Sequence, residues 1–251
     1  MFFINKDKVL TLFNKSLPYV IGSSLSLLLF FIILSIAGYN PVDGIYALVY
    51  GAMGNVFNFA GTLSYTAMLL LSSLAFLIGL RGGFINIGIE GQLYMGAIMA
   101  YLASMSIGSL PPILSLLIIS LAAIFGGIMW IALPLLIKVK MGVNEIFLTM
   151  IMNFIATLML SWLVTGPFRD PHVAHPQSRI IPPTTWLPAL IPGTRLHLGV
   201  LLAFMLCIAV YLLMYKTVIG LYIRAVGLNP RATEAAGISA VSYTHLTLPT
   251  N

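Results

Sequence analysis

Residues 113–137 form an unbroken run without a single charged side chain. A helix needs roughly 20 predominantly apolar residues to cross the hydrocarbon core of a bilayer. This run is long enough on its own. Further apolar runs occupy 19–38, 62–80, 145–165 and 198–215. Inside hydrocarbon, backbone polar groups must be satisfied within the protein, so helices and closed barrels are the structures that span. A barrel would show short segments of alternating hydrophobicity, whereas these runs are continuously apolar. The expected fold class is therefore all-α, a polytopic transmembrane helix bundle. Composition agrees: 7% of the 251 residues are charged, against about 25% in soluble domains.

A sixth segment, 87–107, is the least apolar of the spans. With six crossings, the positive charges sort cleanly. Lys6, Lys8, Lys15, Arg81, Lys138, Lys140, Lys216, Arg224 and Arg231 all fall on one side. Arg169, Arg179 and Arg195 fall on the other, in one long connector, and the short connectors around Asp43 and Pro111 carry no Lys or Arg. Lys and Arg in short loops mark the cytoplasmic face. The N-terminus, with its segment 1–18, and the segment from 216 onward are thus expected in the cytoplasm. The first apolar run is too long for a signal peptide, and no A-x-A site follows it, so it is read as a retained span. The net charge of +6 belongs to this orientation signal and points to no nucleic acid.

The external connector, 166–197, is rich in proline, which makes a stiff loop rather than a domain. A short amphipathic piece is expected near Trp186, at headgroup level. Cys207 is the only cysteine, so no internal disulfide forms. The four histidines (His172, His175, His197, His245) lack the spacing of a metal site. No G-x-x-x-x-G-K-[ST], H-E-x-x-H or G-x-S-x-G occurs, so nothing suggests bound ATP, catalytic zinc or a serine nucleophile. No catalytic residue, cofactor or metal is expected.

Three polar stretches interrupt the apolar pattern. "RGGFINIGIEGQ" (81–92) puts Asn86, Glu90 and Gln92 at the start of the third span among several glycines. Glycines in membranes permit close helix contact or a helix break. Asn86 and Glu90 are four apart and share a face if the segment is helical. An ionisable residue inside a span marks function by default. "GVNEIFLTMIMN" (142–153) offers Asn144 as an N-cap and Glu145 at the positive end of the helix dipole. Asn153, two turns in, reads first as interhelical glue and second as a substrate contact. "GLYIRAVGLNPRATEAAGI" (220–238) carries a short helix with three capping signals: Asn229 as N-cap, Pro230 at the first position and Gly237 at C′. So short a helix needs a surface to pack on. Ala232, Ala235 and Ala236 make a small flat face for a partner's groove.

These three segments, in this order, resemble permease subunits of ABC importers, closest to the nucleoside and simple-sugar branch. The resemblance covers about residues 1–238. It implies half of a transmembrane pathway, paired with a second related permease in a bacterial cell membrane. It implies cytoplasmic ATP-binding subunits docked on the 216–238 loop, and an extracellular substrate-binding protein or lipoprotein that delivers the ligand. The coupling motif would comprise Arg224, Gly227, Asn229, Pro230, Glu234, Ala235, Ala236 and Gly237. Asn86, Glu90, Gln92 and Asn153 are the candidates for the translocation path, and the chain itself would be no enzyme. The transmembrane domain would run from 19 to 238 and be incomplete. The Thr-rich tail, 239–251, resembles translated adapter sequence, so native sequence is expected to end near 239–241. The competing class is a stand-alone secondary transporter or channel with Glu90 as its ion or proton site.

Overall fold

The computed structural model describes residues 6–107 and 110–236, with the backbone alone at 6–15, 230 and 231. Gly237 and the tail lie outside the described residues. The order of elements is α1 (Lys6–Ile36), α2 (Pro41–Met53), α3 (Val56–Arg81), α4 (Ile89–Ser106), α5 (Pro112–Met141), α6 (Glu145–Thr165), a 3-10 turn (Pro183–Thr185), α7 (Leu198–Lys216), α8 (Val218–Leu228) and α9 (Pro230–Ala235). Among the described residues, five helices are long and apolar enough to cross a membrane: α1 from Ser16, α3, α5, α6 and α7. The sixth expected span is α4. Its 18 residues reach about 27 Å, but Glu90 and Gln92 in its first turn lower its apolarity.

The chain divides into two units, 1–62 and 63–251. In the first, α1 ends where Gly38 takes φ +81° and the Tyr39 N–H returns to the Leu34 carbonyl at 2.9 Å. That is the Schellman stop, for which glycine suits the left-handed position. The connector expected around Asp43 is in fact helix α2. Asn40 caps it, accepting from the Val42 N–H at 3.0 Å, and Pro41 occupies the first turn. Helix α2 packs on α1, with Gly44 against Phe30 and Leu34.

In the second unit, α4 lies against α5 and α6. Small residues bring the backbones close: a Cβ on Gly96 would stand 3.0 Å from the Ala123 carbonyl oxygen, and one on Gly126 2.6 Å from that of Met95. This is the packing expected where lipid supplies no hydrophobic drive between helices. Ala67 of α3 meets Val200 and Ala203 of α7, flanked by Leu63, Leu70 and Leu196, and the Ser64 hydroxyl donates to the Arg195 carbonyl at 2.7 Å. The 166–197 connector holds two isolated bridges, Arg169 with Ser178 and Ala189 with His197. Near Trp186 it makes only the 3-10 turn rather than an amphipathic helix. The segment 216–238, read as a loop apart from its short helix, contains α8 as well.

Candidate functional site

The stretch 82–88 is a break between α3 and α4. Its start is another Schellman stop: Gly83 takes φ +82°, and the Phe84 N–H donates to the Gly79 carbonyl at 2.9 Å. Phe84 then turns inward and is buried. From there the backbone runs without helix to Ile89. Non-helical backbone packed inside protein needs partners for its polar groups. Helix α6 provides them.

Glu145, Thr149 and Asn153 are spaced by four, so they stand on one face of α6. Each engages the break. The Glu145 carboxylate lies near the backbone N–H of Ile85. The Ile87 N–H donates to the Thr149 hydroxyl at 3.2 Å. Asn153 uses both ends of its amide: Nδ2 donates to the Ile87 carbonyl at 2.8 Å, and Oδ1 accepts from the Gly91 N–H at 2.8 Å. Helix α5 closes the clamp. Lys138 Nζ stands 3.1 Å from Glu145 Oε1 and 5.2 Å from the centre of the Phe84 ring. Close approach explains two of the glycines. A Cβ on Gly88 would stand 3.1 Å from Thr149 Cβ, and one on Gly91 2.9 Å from Asn153 Oδ1.

Asn153 thus ties α6 both to the break, at Ile87, and to the first turn of α4, at Gly91. Its replacement by Leu would leave the part-buried Gly91 N–H and the Ile87 carbonyl, at an exposed residue, without this partner. Losing an ordinary hydrogen bond costs about 0.5–1.5 kcal/mol, so Asn153→Leu, which loses two, is expected to lower the thermal unfolding temperature in detergent. A shift within error would contradict this account.

The other three path candidates separate. Asn86 and Glu90 do not share a helical face, because Asn86 precedes the helix. They meet instead across one cleft of about 800 Å³ between α3 and the start of α4. Asn86 is buried and spends Oδ1 on the Gly88 N–H at 2.9 Å. Glu90 is exposed, and its Oε1 accepts from the Tyr94 hydroxyl at 2.7 Å. Gln92 lines a different, mostly apolar groove between α3, α4 and α5. Lys138, Thr149 and Tyr94 went unremarked in the sequence as site residues. Tyr94 had a signal, lying one helical turn beyond Glu90.

The coupling candidates other than Gly237, which lies outside the described residues, fall in α8, in α9 or at their caps. Thr217 caps α8, accepting from the Gly220 N–H at 3.2 Å. Gly220, Ile223 and Val226 form its buried face. Arg224 lies 5.1 Å from the Tyr215 ring and donates to the Gly220 carbonyl at 3.2 Å. Beyond α8, Asn229 Oδ1 accepts from the Ala232 N–H at 3.0 Å, with Pro230 in the first turn, so both expected cap residues stand in place. Thr233 turns inward, while Ala232, Glu234, Ala235 and Ala236 are exposed. Gly227 joins this region to the break. A Cβ there would collide with the Arg81 carbonyl and come within 2.9 Å of the Gly83 nitrogen.

Apolar spans around an internally capped break define a multi-pass α-helical membrane protein with a cleft beside the break. Residues 58–248 match the family described as branched-chain amino acid transport system / permease component, and the chain belongs to that family. It is 29% identical to a nucleoside ABC transporter permease protein of Lactococcus lactis, over 90% of this chain and 65% of the relative. It is 31% identical to a glucose ABC transporter permease protein of Haloferax volcanii, over 80% of this chain and 55% of the relative. A guanosine ABC transporter permease protein of Bacillus subtilis is 28% identical, over 83% of this chain and 60% of the relative. The chain thus spans somewhat over half the length of these curated relatives. No solved structure matches it.

Proposed function

We propose that this chain is a permease subunit of an ABC importer for nucleosides or related sugars, lying in a bacterial cell membrane with its N-terminus in the cytoplasm. Its α8–α9 segment, including Arg224, Gly227, Asn229, Pro230, Glu234, Ala235, Ala236 and Gly237, is the dock for a separate ATP-binding subunit. The other half of the pathway is a second related permease, and an extracellular binding protein supplies the substrate. The observation that carries this reading is the backbone contact of Gly227 with Arg81 and Gly83. It joins the segment suited to a cytoplasmic partner directly to the break that walls the cleft. The names of the relatives support the substrate class. Asn86 and Glu90 face the path, while Asn153 shapes it from behind.

The test is uptake of labelled nucleosides by cells that express the chain with the ATPase, permease and binding-protein genes beside it. Uptake is expected to require ATP. Uptake driven by a proton or sodium gradient with no ATPase present would overturn the reading in favour of a lone carrier. Glu234 is exposed on α9, so Glu234→Lys is expected to leave the membrane level unchanged while co-purification of the ATPase subunit falls. Undiminished co-purification would remove α9 from the dock.

A further inference from the structure

The cleft between α3 and α4 is large enough for a small metabolite, since ligand pockets run from about 300 to 1,000 Å³. Its walls are mainly apolar and aromatic. Its polar groups are few, and among the lining residues Glu90 is the single ionisable acid, with no Lys or Arg beside it. A phosphate or carboxylate ligand would meet repulsion there and find no cation. A neutral molecule that donates hydrogen bonds would not.

Two of the other polar side chains are already engaged. Asn86 Oδ1 holds the Gly88 N–H, and the Ser73 hydroxyl donates to the Leu69 carbonyl at 2.7 Å. Glu90 differs. Its side chain is exposed, and Tyr94 is its one hydrogen-bond donor among the described residues, acting on Oε1. An ionised carboxylate has roughly four acceptor sites, so most of its capacity remains for a ligand. The Tyr94 oxygen, fixed by its own donation to Glu90, is left as an acceptor at the same spot. Two adjacent hydroxyls on neighbouring carbons can donate in parallel to the two oxygens of one carboxylate. Hydrogen bonds to a charged partner are the strong ones.

We infer that the Glu90–Tyr94 pair is the subsite that receives a vicinal diol of the transported molecule, such as the 2′ and 3′ hydroxyls of a ribonucleoside. The adjoining aromatic and aliphatic wall, with Tyr65 and Phe76, receives the less polar part. This rests on the reading above that nucleosides or sugars are the cargo. Tyr94 is the positioning residue that holds the carboxylate; Glu90 makes the contact.

The experiment compares uptake of labelled guanosine and uridine with that of their 2′,3′-dideoxy counterparts. It uses cells carrying the chain with its partner subunits, as wild type, Glu90→Gln and Tyr94→Phe. The binding protein is the same in every strain, so its own selectivity cancels in the ratios. Glu90→Gln is expected to cut the preference for the ribo form by about tenfold or more, the loss of a charged acceptor serving two donors. Uptake of the dideoxy form should stay within about twofold, since the charge-assisted bonds are missing from it already. Tyr94→Phe is expected to cut the preference by less. Membrane level and ATPase co-purification report folding separately. An unchanged ribo-to-dideoxy ratio in Glu90→Gln overturns the inference and leaves the importer reading standing. Equal loss of both forms at normal membrane level overturns it as well, because it assigns Glu90 to the architecture of the path. Uptake of solutes of another class, with none of nucleosides or sugars, would overturn the cargo reading, and this inference with it.

Discussion

Glu145→Gln is expected to lower the thermal unfolding temperature in detergent by more than Asn153→Leu does, although it changes one atom. Lys138 is only 9% exposed and Glu145 only 18%. Their ion pair sits behind the break, with the Phe84 ring beside the ammonium. Taking away the negative charge leaves an ammonium in poor solvent with no counter-charge. Removing one member of a buried pair costs about 3–5 kcal/mol, and the residual exposure here argues for the lower end. Size-exclusion profile and thermal unfolding in detergent measure it. The double change Lys138→Met with Glu145→Gln should recover part of the loss, because it removes the uncompensated charge along with the pair. A single variant as stable as wild type would show that water reaches the pair and that the clamp is held by Thr149 and Asn153 instead.

Gly227→Val should act on transport rather than on folding alone. The added side chain has only backbone in front of it: the Arg81 carbonyl and the Gly83 nitrogen. Backbone cannot rotate aside as a side chain does, so α8 must shift. Overpacking of this kind typically costs about 1–3 kcal/mol, too little to unfold a multi-helix bundle. If the importer reading holds, the partner's ATP hydrolysis should continue while uptake falls by about tenfold or more, since geometry displaced by an ångström is that costly. Parallel assays of hydrolysis and uptake on the same membranes separate the two. Normal uptake in Gly227→Val would show that the contact carries no motion.

What could be read in advance depended on how local the cause was. The apolar runs announced the spans, because hydrocarbon thickness sets their length. Asn144 and Asn229 announced helix starts, because a cap acts within three residues. The same grammar stands at Asn40–Pro41, but a short connector without Lys or Arg reads as a loop, and α2 stays hidden in it. Helix α8 is shorter than a span and carries glycines at positions 220 and 227, which mimics a turn. Those glycines in fact mark close approach to α7 and to the break. Glu145 was legible as a dipole partner, and Lys138 as an orienting charge, but not as a pair, since nothing in the sequence sets their depth. The least legible feature was the α6 ladder. Thr149 and Asn153 look like ordinary polar residues in an apolar helix until 82–91 is laid beside them.

That ladder also sets an order of events during synthesis. The groups that Thr149 and Asn153 satisfy lie 62 to 66 residues earlier in the chain. At roughly 5–20 residues per second, the ribosome needs about 3–13 s to reach them. For that interval the carbonyl of Ile87 and the N–H groups of Ile87 and Gly91 have no partner of their own chain to meet. Lipid would leave them bare, so water or the insertion machinery must hold them. The hairpin of α3 and α4 is thus a provisional arrangement at birth, completed by a helix that has yet to be made.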